Sequence, residues 1–330
     1  MTTLITGATG FVGSAVARTL ARRGHALRLL TRASSDRRNL DGLDAETVIG
    51  DLTDPASLAR AAAGCRYVVH VAADYRFWVP VPEDMMRANV DGAVAMIRAA
   101  AEAGAERIVH CSSVAALGQI GDGTPADENT PTNEADFVGV YKRSKYRAER
   151  AVLELAARES WPVVVVNPSA PVGPRDIKPT PTGKMVRDTA AGRVPAYIDT
   201  GLNIVHVDDV AEGHALALER GRIGERYVLG GENMLLKDVL ALISDVAGRR
   251  PPRIRLPEAV IWPVAWAMEK TAPLTGIAPM MTRDHLKMAR KKMFYSSAKA
   301  EAELGYTARP VREAVQDAVA WFRSMGMLRP

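Results

Sequence analysis

With 330 residues, of which 47% are hydrophobic and 25% charged, the chain is long enough for one large α/β unit with a smaller second lobe. This composition excludes disordered and fibrous proteins. The net charge of +5 is not gathered into basic blocks between aromatic residues, which argues against a nucleic-acid partner.

The two cysteines, Cys65 and Cys111, are too few for a disulfide framework, and neither has metal-ligand spacing with a histidine. We therefore expect both to be small buried residues of a reduced cytoplasmic protein without a metal site. The first residues show none of the basic and apolar regions of a secretory signal, so we expect the mature fold to start at Met1.

Short apolar runs alternate with helical stretches through the first half of the chain. We predict helices over 11–23, 55–63, 83–103 and 141–158, and strands over 2–6, 25–30, 45–49, 66–73, 107–113 and 162–167. Short strands separated by such helices are typical of a parallel sheet with right-handed crossovers. The predicted fold class is therefore α/β, a Rossmann-type doubly wound parallel sheet over residues 1–170.

Prolines cluster after the last of these strands, in NPSAPVGPRDIKPTPTG (167–183). We expect this loop to run over the carboxyl ends of the strands, where open α/β sheets bind ligands. Residues 171–330 are predicted to form mostly a smaller C-terminal substrate lobe, with some segments returning to the main sheet.

The segment TGATGFVG places Gly7, Gly10 and Gly13 at three-residue spacing between a predicted strand and helix. The first glycine permits a tight turn, the second lets the backbone approach a pyrophosphate, and the third lets the helix pack closely. The alternative is a plain glycine turn, but the flanking strand and helix favour dinucleotide binding. The predicted contacts in this loop are Gly7, Thr9, Gly10, Phe11 and Val12.

The second strand is followed by arginines in LLTRASSDRRN (29–39), where an acid would bind a free ribose 2′-hydroxyl. We predict that Arg32 pairs with a 2′-phosphate or stacks on adenine, with Arg37 or Arg38 as a second partner. The alternative is that all three arginines are solvated loop charges. Asp36 is an acid that argues against a phosphate site, but it lies four residues after Arg32, beyond the strand end. The predicted cofactor is NADPH.

Further segments follow in an order that resembles the extended short-chain dehydrogenase/reductase family. They are GDLTD, HVAA, ANVDG, CSSVAALG, YKRSK, NPSAPVGP and VHVDDVA. The resemblance implies cofactor contacts from Asp51, Leu52, Ala72, Ala73 and Pro168. It also implies a role for Asn89, and it singles out Ser113 rather than Ser112, because Ser113 stands five residues before Gly118.

The segment YKRSK places Tyr141 and Lys145 four residues apart, so both lie on one helix face. A free tyrosine is a poor base at neutral pH, but a nearby ammonium lowers its pKa. We therefore expect Lys145 to tune Tyr141 and, from the resemblance, to hold the nicotinamide ribose. Ser113 is expected to orient a substrate carbonyl. The alternative is a chance spacing on an exposed helix.

The segments HVAADYRFWVP and GPRDIKPTPTGK narrow the resemblance to the hopanoid-associated sugar epimerase/reductase subfamily, close to dihydroflavonol reductases. This implies reduction of a ring-opened ribosylhopane to bacteriohopanetetrol. The alternatives are a sugar epimerase or dehydratase that keeps its nucleotide bound, and a sensor of NADP without turnover, which the intact Tyr141 and Lys145 argue against. The resemblance also implies a homodimer through two helices beside the sheet.

Two segments with aromatic residues are candidates for contact with an apolar substrate or with the membrane that contains it. Tyr75, Phe77 and Trp78 follow a strand end and are predicted, with Ser113 and Ser169, to contact the substrate, although Tyr75, Phe77 and Trp78 also suit an ordinary loop. The apolar run 259–268 is about half as long as a membrane-spanning helix. It suits peripheral contact with the inner membrane face, or equally a helix packed in the substrate lobe.

Overall fold

The computed structural model describes residues 1–76, 79, 81–257, 262–263, 265–269, 271, 286 and 291–328. A central sheet of seven parallel strands has the order β10-β6-β5-β4-β1-β2-β3. Its strands are β1 (Thr2–Thr6), β2 (Ala26–Thr31), β3 (Ala45–Ile49), β4 (Tyr67–His70), β5 (Arg107–Cys111), β6 (Val163–Pro168) and β10 (Arg226–Leu229). The order reverses at β1, which pairs with β2 and β4, so the crevice for a dinucleotide lies at the carboxyl end of β1.

Helices cover both faces of this sheet, which confirms the predicted doubly wound α/β fold. Leu4 and Ile5, adjacent in β1, belong to separate cores on opposite faces because strand side chains alternate. One face packs against α1 (Phe11–Arg22) and α7 (Val207–Arg220); the other packs against α2 (Pro55–Ala62), α4 (Gly92–Glu102) and α5 (Val140–Glu159).

A third core lies outside the main sheet. It joins a small sheet, in which β9 (Gly201–His206) pairs parallel to β7 (Ala170–Val172) and antiparallel to β11 (Glu232–Leu235), to three helices. These helices are α6 (Pro181–Ala190), α8 (Leu236–Ala247) and α10 (Val311–Ser324). Nearby, β8 (Ala196–Tyr197) pairs with β12 (Ile254–Arg255). The short helix α9 (Ala298–Leu304) packs on the core beside α7.

The predicted helix over 83–103 is divided in three. It begins as α3 (Pro82–Met86), passes through a π-helical turn at Arg87–Asp91 and continues as α4. Within the turn, Asn89 is buried and its amide donates to the Asp74 carbonyl at 2.8 Å and to the Ser144 hydroxyl at 2.9 Å. Such turns are frequently found at functional sites.

The strand predicted over 66–73 ends at His70. The Val71 and Ala72 amides donate to the Thr6 hydroxyl, at 3.2 and 3.1 Å, instead of to a neighbouring strand.

Cys65 and Cys111 are buried and free, as predicted. Within the described ranges, we find no helix long and apolar enough to cross a membrane.

Candidate active site

The glycine-rich loop between β1 and α1 packs too closely for side chains. Gly7 has a φ of +73°, and a Cβ there would lie 2.8 Å from the Ala72 nitrogen. A Cβ on Gly13 would lie 2.1 Å from the Gly7 carbonyl oxygen. Gly10 caps α1 without a side chain, so the first amides of the helix, including those of Phe11 and Val12, carry no side-chain cap. This cradle fits the pyrophosphate of a dinucleotide.

Asp51 and Leu52 lie beyond β3, at the end of the crevice expected to receive adenosine. The Thr53 amide and hydroxyl donate to the Asp51 carboxylate at 2.9 and 2.7 Å. These hydrogen bonds lower the pKa of Asp51, and the charge of Arg32 adds to the effect. Arg32 is thus an exposed cation close to Asp51 at the strand ends, where a nucleotide 2′-phosphate would need one.

The other two arginines have different surroundings. Arg38 forms an ion pair with Asp36 at 2.7 Å, and its Nε also contacts both carboxylate oxygens at 3.1 Å. These hydrogen bonds lower the pKa of Asp36 to about 2. Much of the Arg38 charge is therefore offset within its own loop. Arg37 is exposed at the start of the turn Arg38–Leu40.

Ser113, Tyr141 and Lys145 meet at the carboxyl end of β5. Ser113 follows that strand, and its Oγ accepts a hydrogen bond from the Ala115 amide at 3.1 Å and is hydrogen bonded to the Tyr141 side chain. Tyr141 lies in the first turn of α5 and Lys145 one turn later. Lys145 is 6% exposed, and its Nζ donates to the Cys111 carbonyl at 3.2 Å.

The ionisation of this group differs from the sequence-based expectation. Burial raises the pKa of Tyr141 to about 12, although the Ser113 hydrogen bond opposes the shift. Burial lowers the pKa of Lys145. The predicted lowering of the Tyr141 pKa is wrong for this structure, because desolvation of the phenolate is the largest effect. Tyr141 therefore holds its proton at neutral pH.

A buried network behind this group was missed in the sequence. The Asn167 amide donates to the Ser113 carbonyl at 3.0 Å and to Glu149 at 2.6 Å. Glu149 is 2% exposed and pairs with Arg226 at 2.9 Å. These contacts fix the backbone of Ser113. The one available signal was the position of Glu149, four residues after Lys145 on the same face of α5.

The segment after β4 lies at the same edge of the sheet. Ala72 packs under the glycine loop, Ala73 follows it, and the backbone of Asp74 is held in both directions by the Asn89 amide group, at 2.7 and 2.8 Å. Tyr75 is 44% exposed, and its pKa is raised by burial and by the charge of Asp176. Phe77 and Trp78 lie outside the described residues.

The end of β6 completes this edge. Pro168 is the last residue of the strand, and Ser169 follows it with 8% exposure. The Ser169 Oγ is buried and has no hydrogen-bond partner among the described residues. A buried hydroxyl without a partner is free to hydrogen-bond a ligand at this edge.

The remaining candidate features lie elsewhere. Part of 259–268 falls outside the described residues; of its tryptophans, Trp262 packs on the cluster of Ala265 and Leu286, whereas Trp266 is 51% exposed. The two therefore differ in exposure despite their helical spacing.

His206 accepts from the Asp208 amide at 2.9 Å and contacts Asp317 at 3.2 Å. In the described part of the chain, no group of three or more side chains is arranged to hold a metal ion.

Comparisons with known proteins agree with this arrangement. The model of the NAD dependent epimerase/dehydratase family matches residues 3–230. The chain is 42% identical to a putative dihydroflavonol 4-reductase of Synechocystis sp., over 98% of this chain and 95% of the relative. It is 32% identical to sterol demethylase protein B of Methylococcus capsulatus, over 99% and 100%.

Among solved structures, the crystal structure of gox2253 is 59% identical, with a TM-score of 0.91 and 99% of each chain covered. The family match, the curated relatives and the seven-stranded fold agree with one another. The chain belongs to the NAD-dependent epimerase/dehydratase family and is an NAD(P)-dependent oxidoreductase of the extended short-chain dehydrogenase/reductase type.

Proposed function

We propose that the protein is an NADPH-dependent carbonyl reductase that acts on a hopanoid side chain, reducing ring-opened ribosylhopane to bacteriohopanetetrol. The observation that carries the proposal is the Tyr141 hydroxyl, which is hydrogen bonded to Ser113 and has its pKa raised to about 12. A reductase needs an acid at the carbonyl oxygen, and this phenol is protonated at neutral pH.

Each residue of this group has a distinct task. Ser113 donates a hydrogen bond to the substrate carbonyl oxygen and orients it beside Tyr141. When bound, the nicotinamide of NADPH supplies a hydride to the carbonyl carbon. Tyr141 gives its proton to the oxygen as negative charge develops there, which yields an alcohol. Lys145, whose Nζ is held 3.2 Å from the Cys111 carbonyl, stabilises the resulting phenolate with its positive charge.

The choice of NADPH depends on the loop after β2. No acid ends this strand, and the nearby Asp36 is already paired with Arg38. Arg32 is the exposed cation at the strand end, and we assign it the 2′-phosphate, with Arg37 or Arg38 as a second partner. Epimerases and dehydratases of this fold return the hydride and usually keep NAD bound, whereas NADPH suits a net reduction.

The substrate class is supported by the names of two relatives. One is named a putative dihydroflavonol 4-reductase, and the other is a sterol demethylase protein, named for a fused-ring lipid. A hopanoid is also a fused-ring lipid. We assign its contacts to Tyr75, Phe77, Trp78 and Ser169, and we assign a peripheral, cytoplasmic membrane contact to the segment 259–268.

A second candidate is a sugar epimerase or dehydratase of the same fold. The family model that matches residues 3–230 favours it, because the family is named for those reactions. Such an enzyme must keep its nucleotide through the catalytic cycle. The absorbance of the purified protein therefore distinguishes the two, since a releasing reductase is expected to lose its cofactor during purification.

The test of the proposed function is incubation of the purified protein with ribosylhopane and NADPH. We expect oxidation of NADPH and formation of the open-chain polyol, detected by mass spectrometry, and both to be at least roughly a hundredfold slower with the variant Tyr141→Phe. Absence of both products with the wild-type protein would exclude this substrate. Tightly retained nucleotide together with isomerised or dehydrated sugar would support the second candidate.

A further inference from the structure

The side chain of Asn39 contacts two loops that are far apart in the sequence. Asn39 lies in the turn Arg38–Leu40, after the arginine-rich loop, and is 4% exposed. Its amide nitrogen lies 3.2 Å from the Thr9 carbonyl oxygen, 3.4 Å from that of Gly10 and 3.0 Å from that of Arg175. Because the amide has two hydrogens, one can be donated to a carbonyl of the glycine-rich loop while the other is donated to the Arg175 carbonyl.

On the cofactor side, this contact reaches the peptide that joins Gly10 to Phe11, whose carbonyl also accepts from the Ser14 amide at 3.0 Å. The carbonyl and the following N–H of a trans peptide point in opposite directions, and no peptide in the described chain is cis. With the Gly10 carbonyl turned toward Asn39, the Phe11 N–H points away from Asn39. That N–H belongs to the first turn of α1, the turn that fits a pyrophosphate.

On the substrate side, Asn39 supports a strained turn. Arg175 has a φ of +76°, which is uncommon for a residue with a side chain. Its carbonyl accepts from the Ile177 amide at 2.9 Å as well as from Asn39, and its guanidinium pairs with Asp208. Strained backbone of this kind persists only where its surroundings hold it, and it occurs mainly at functional sites.

The strained turn leads directly into the loop that faces the predicted substrate. Asp176 follows it, is 2% exposed, and accepts from the Thr180 amide and hydroxyl, both at 2.8 Å. Thr180 caps α6, so the conformation at Arg175 sets where this loop joins the helix. The charge of Asp176 also reaches Tyr75, on the opposite segment of the candidate substrate region.

We infer that Asn39 is a positioning residue that couples the cofactor loop to the substrate loop. A dinucleotide bound to the first turn of α1 holds the Gly10–Phe11 peptide in place, and Asn39 transmits that restraint to the Arg175 turn. Nucleotide binding thereby orders residues 173–183 for a substrate. The inference rests on the proposed cofactor site and does not depend on which carbonyl compound is reduced.

The test is hydrogen exchange measured by mass spectrometry, with and without saturating NADP⁺. In the wild-type protein we expect the nucleotide to slow exchange in the glycine-rich loop and, roughly tenfold, in residues 173–183. Asn39→Asp keeps the shape of the side chain but has no N–H to donate. At saturating nucleotide it should retain protection of the glycine-rich loop and lose the added protection of 173–183. Asn39→Ser, which adds no charge, should behave in the same way.

A matched control is Asn203→Asp. Asn203 is also buried, and its amide contacts the Gly231 carbonyl at 3.1 Å and the Tyr295 carbonyl at 3.2 Å, in the small sheet. Its variant should speed exchange generally yet preserve the nucleotide-dependent slowing in 173–183. If the Asn39 variants also keep the nucleotide-dependent slowing in 173–183, the role of Asn39 is purely structural and the inference is overturned. The inference is also overturned if the nucleotide does not slow exchange in 173–183 of the wild-type protein.

The experiment remains informative if the proposed function fails. It needs only a bound nucleotide, so a protein that does not reduce ribosylhopane still gives a result. If NADH binds as well as NADPH, the same measurement is made with NAD⁺, and loss of protection in the Asn39 variants has the same meaning.

Discussion

Lys145 Nζ lies 3.2 Å from the Cys111 carbonyl oxygen, which ties α5 to the end of β5 beside the place where Tyr141 contacts Ser113. The lysine is thus attached to the backbone at the end of β5, two residues before Ser113. This arrangement suits a tyrosine that starts the reaction protonated and ends it as a phenolate.

Replacement of Tyr141 by phenylalanine should abolish most of the reduction. The variant lacks the acid, and general acid catalysis contributes ~10²–10⁴-fold to a rate. We expect kcat to fall by that order while the Kd for NADPH, measured by tryptophan fluorescence, stays within a few-fold. A variant with near wild-type kcat would show that another group supplies the proton.

The pH dependence should be set by Lys145 before Tyr141. Burial lowers the pKa of Lys145, so it loses its charge at a lower pH than free lysine, whereas Tyr141 keeps its proton up to about pH 12. We expect kcat/KM for reduction to fall on the alkaline side as Lys145 is neutralised. Lys145→Arg, which stays charged, should move that fall to higher pH. An unmoved profile would assign it to a different group.

Replacement of Arg32 by alanine should weaken NADPH binding more than NADH binding. A hydrogen bond to a charged group is worth about 1.5–3 kcal/mol, which corresponds to roughly a tenfold to hundredfold change in Kd. Arg38→Ala is the comparison, and its effect should be smaller because Arg38 is paired with Asp36. Equal affinities of the wild-type protein for NADPH and NADH would refute the 2′-phosphate assignment.

Gly13 should be far less tolerant of alanine than Gly24. A Cβ on Gly13 would lie 2.1 Å from the Gly7 oxygen, whereas Gly24, with a φ of +80°, has open space around it. Gly24→Ala should cost only the left-handed backbone term, about 1–2 kcal/mol. Gly13→Ala should cost more and should abolish nucleotide binding. Denaturant unfolding and nucleotide titration of both variants measure this, and similar losses in the two would contradict it.

The buried carboxyl of Asp176 should make the fold less stable as the pH rises. Burial raises the pKa of Asp176 to about 6, from an ordinary value of 3.8. The unfolded chain therefore loses this proton at lower pH than the folded one, and stability falls as the pH rises from about 4 to 6. Asp176→Asn should remove that fall and gain about 3 kcal/mol at pH 7 relative to wild type. Urea unfolding at pH 5 and pH 8 tests this; a wild-type advantage at pH 8 would contradict it.

The sequence by itself determined the alternation of strands and helices, the glycine-rich cradle and the pairing of Tyr141 with Lys145 on one helix face. These features depend on local spacing: the apolar period, glycine at a tight turn, and about four residues to one helix turn. They were predictable because the residues that cause them are neighbours in the chain, whereas Ser113 was singled out only by the family resemblance.

Only the tertiary structure decided the rest. The hydrogen bond of Asn89 to Ser144, the pairing of Glu149 with Arg226 and the link from Asn39 to Arg175 join residues from separate segments. The ionisation of Tyr141 reversed the expectation from the Tyr141–Lys145 spacing, because burial depends on everything packed around a side chain. Local pattern specifies which groups are present, whereas desolvation and long-range hydrogen bonds, which arise only in the folded chain, specify what those groups can do.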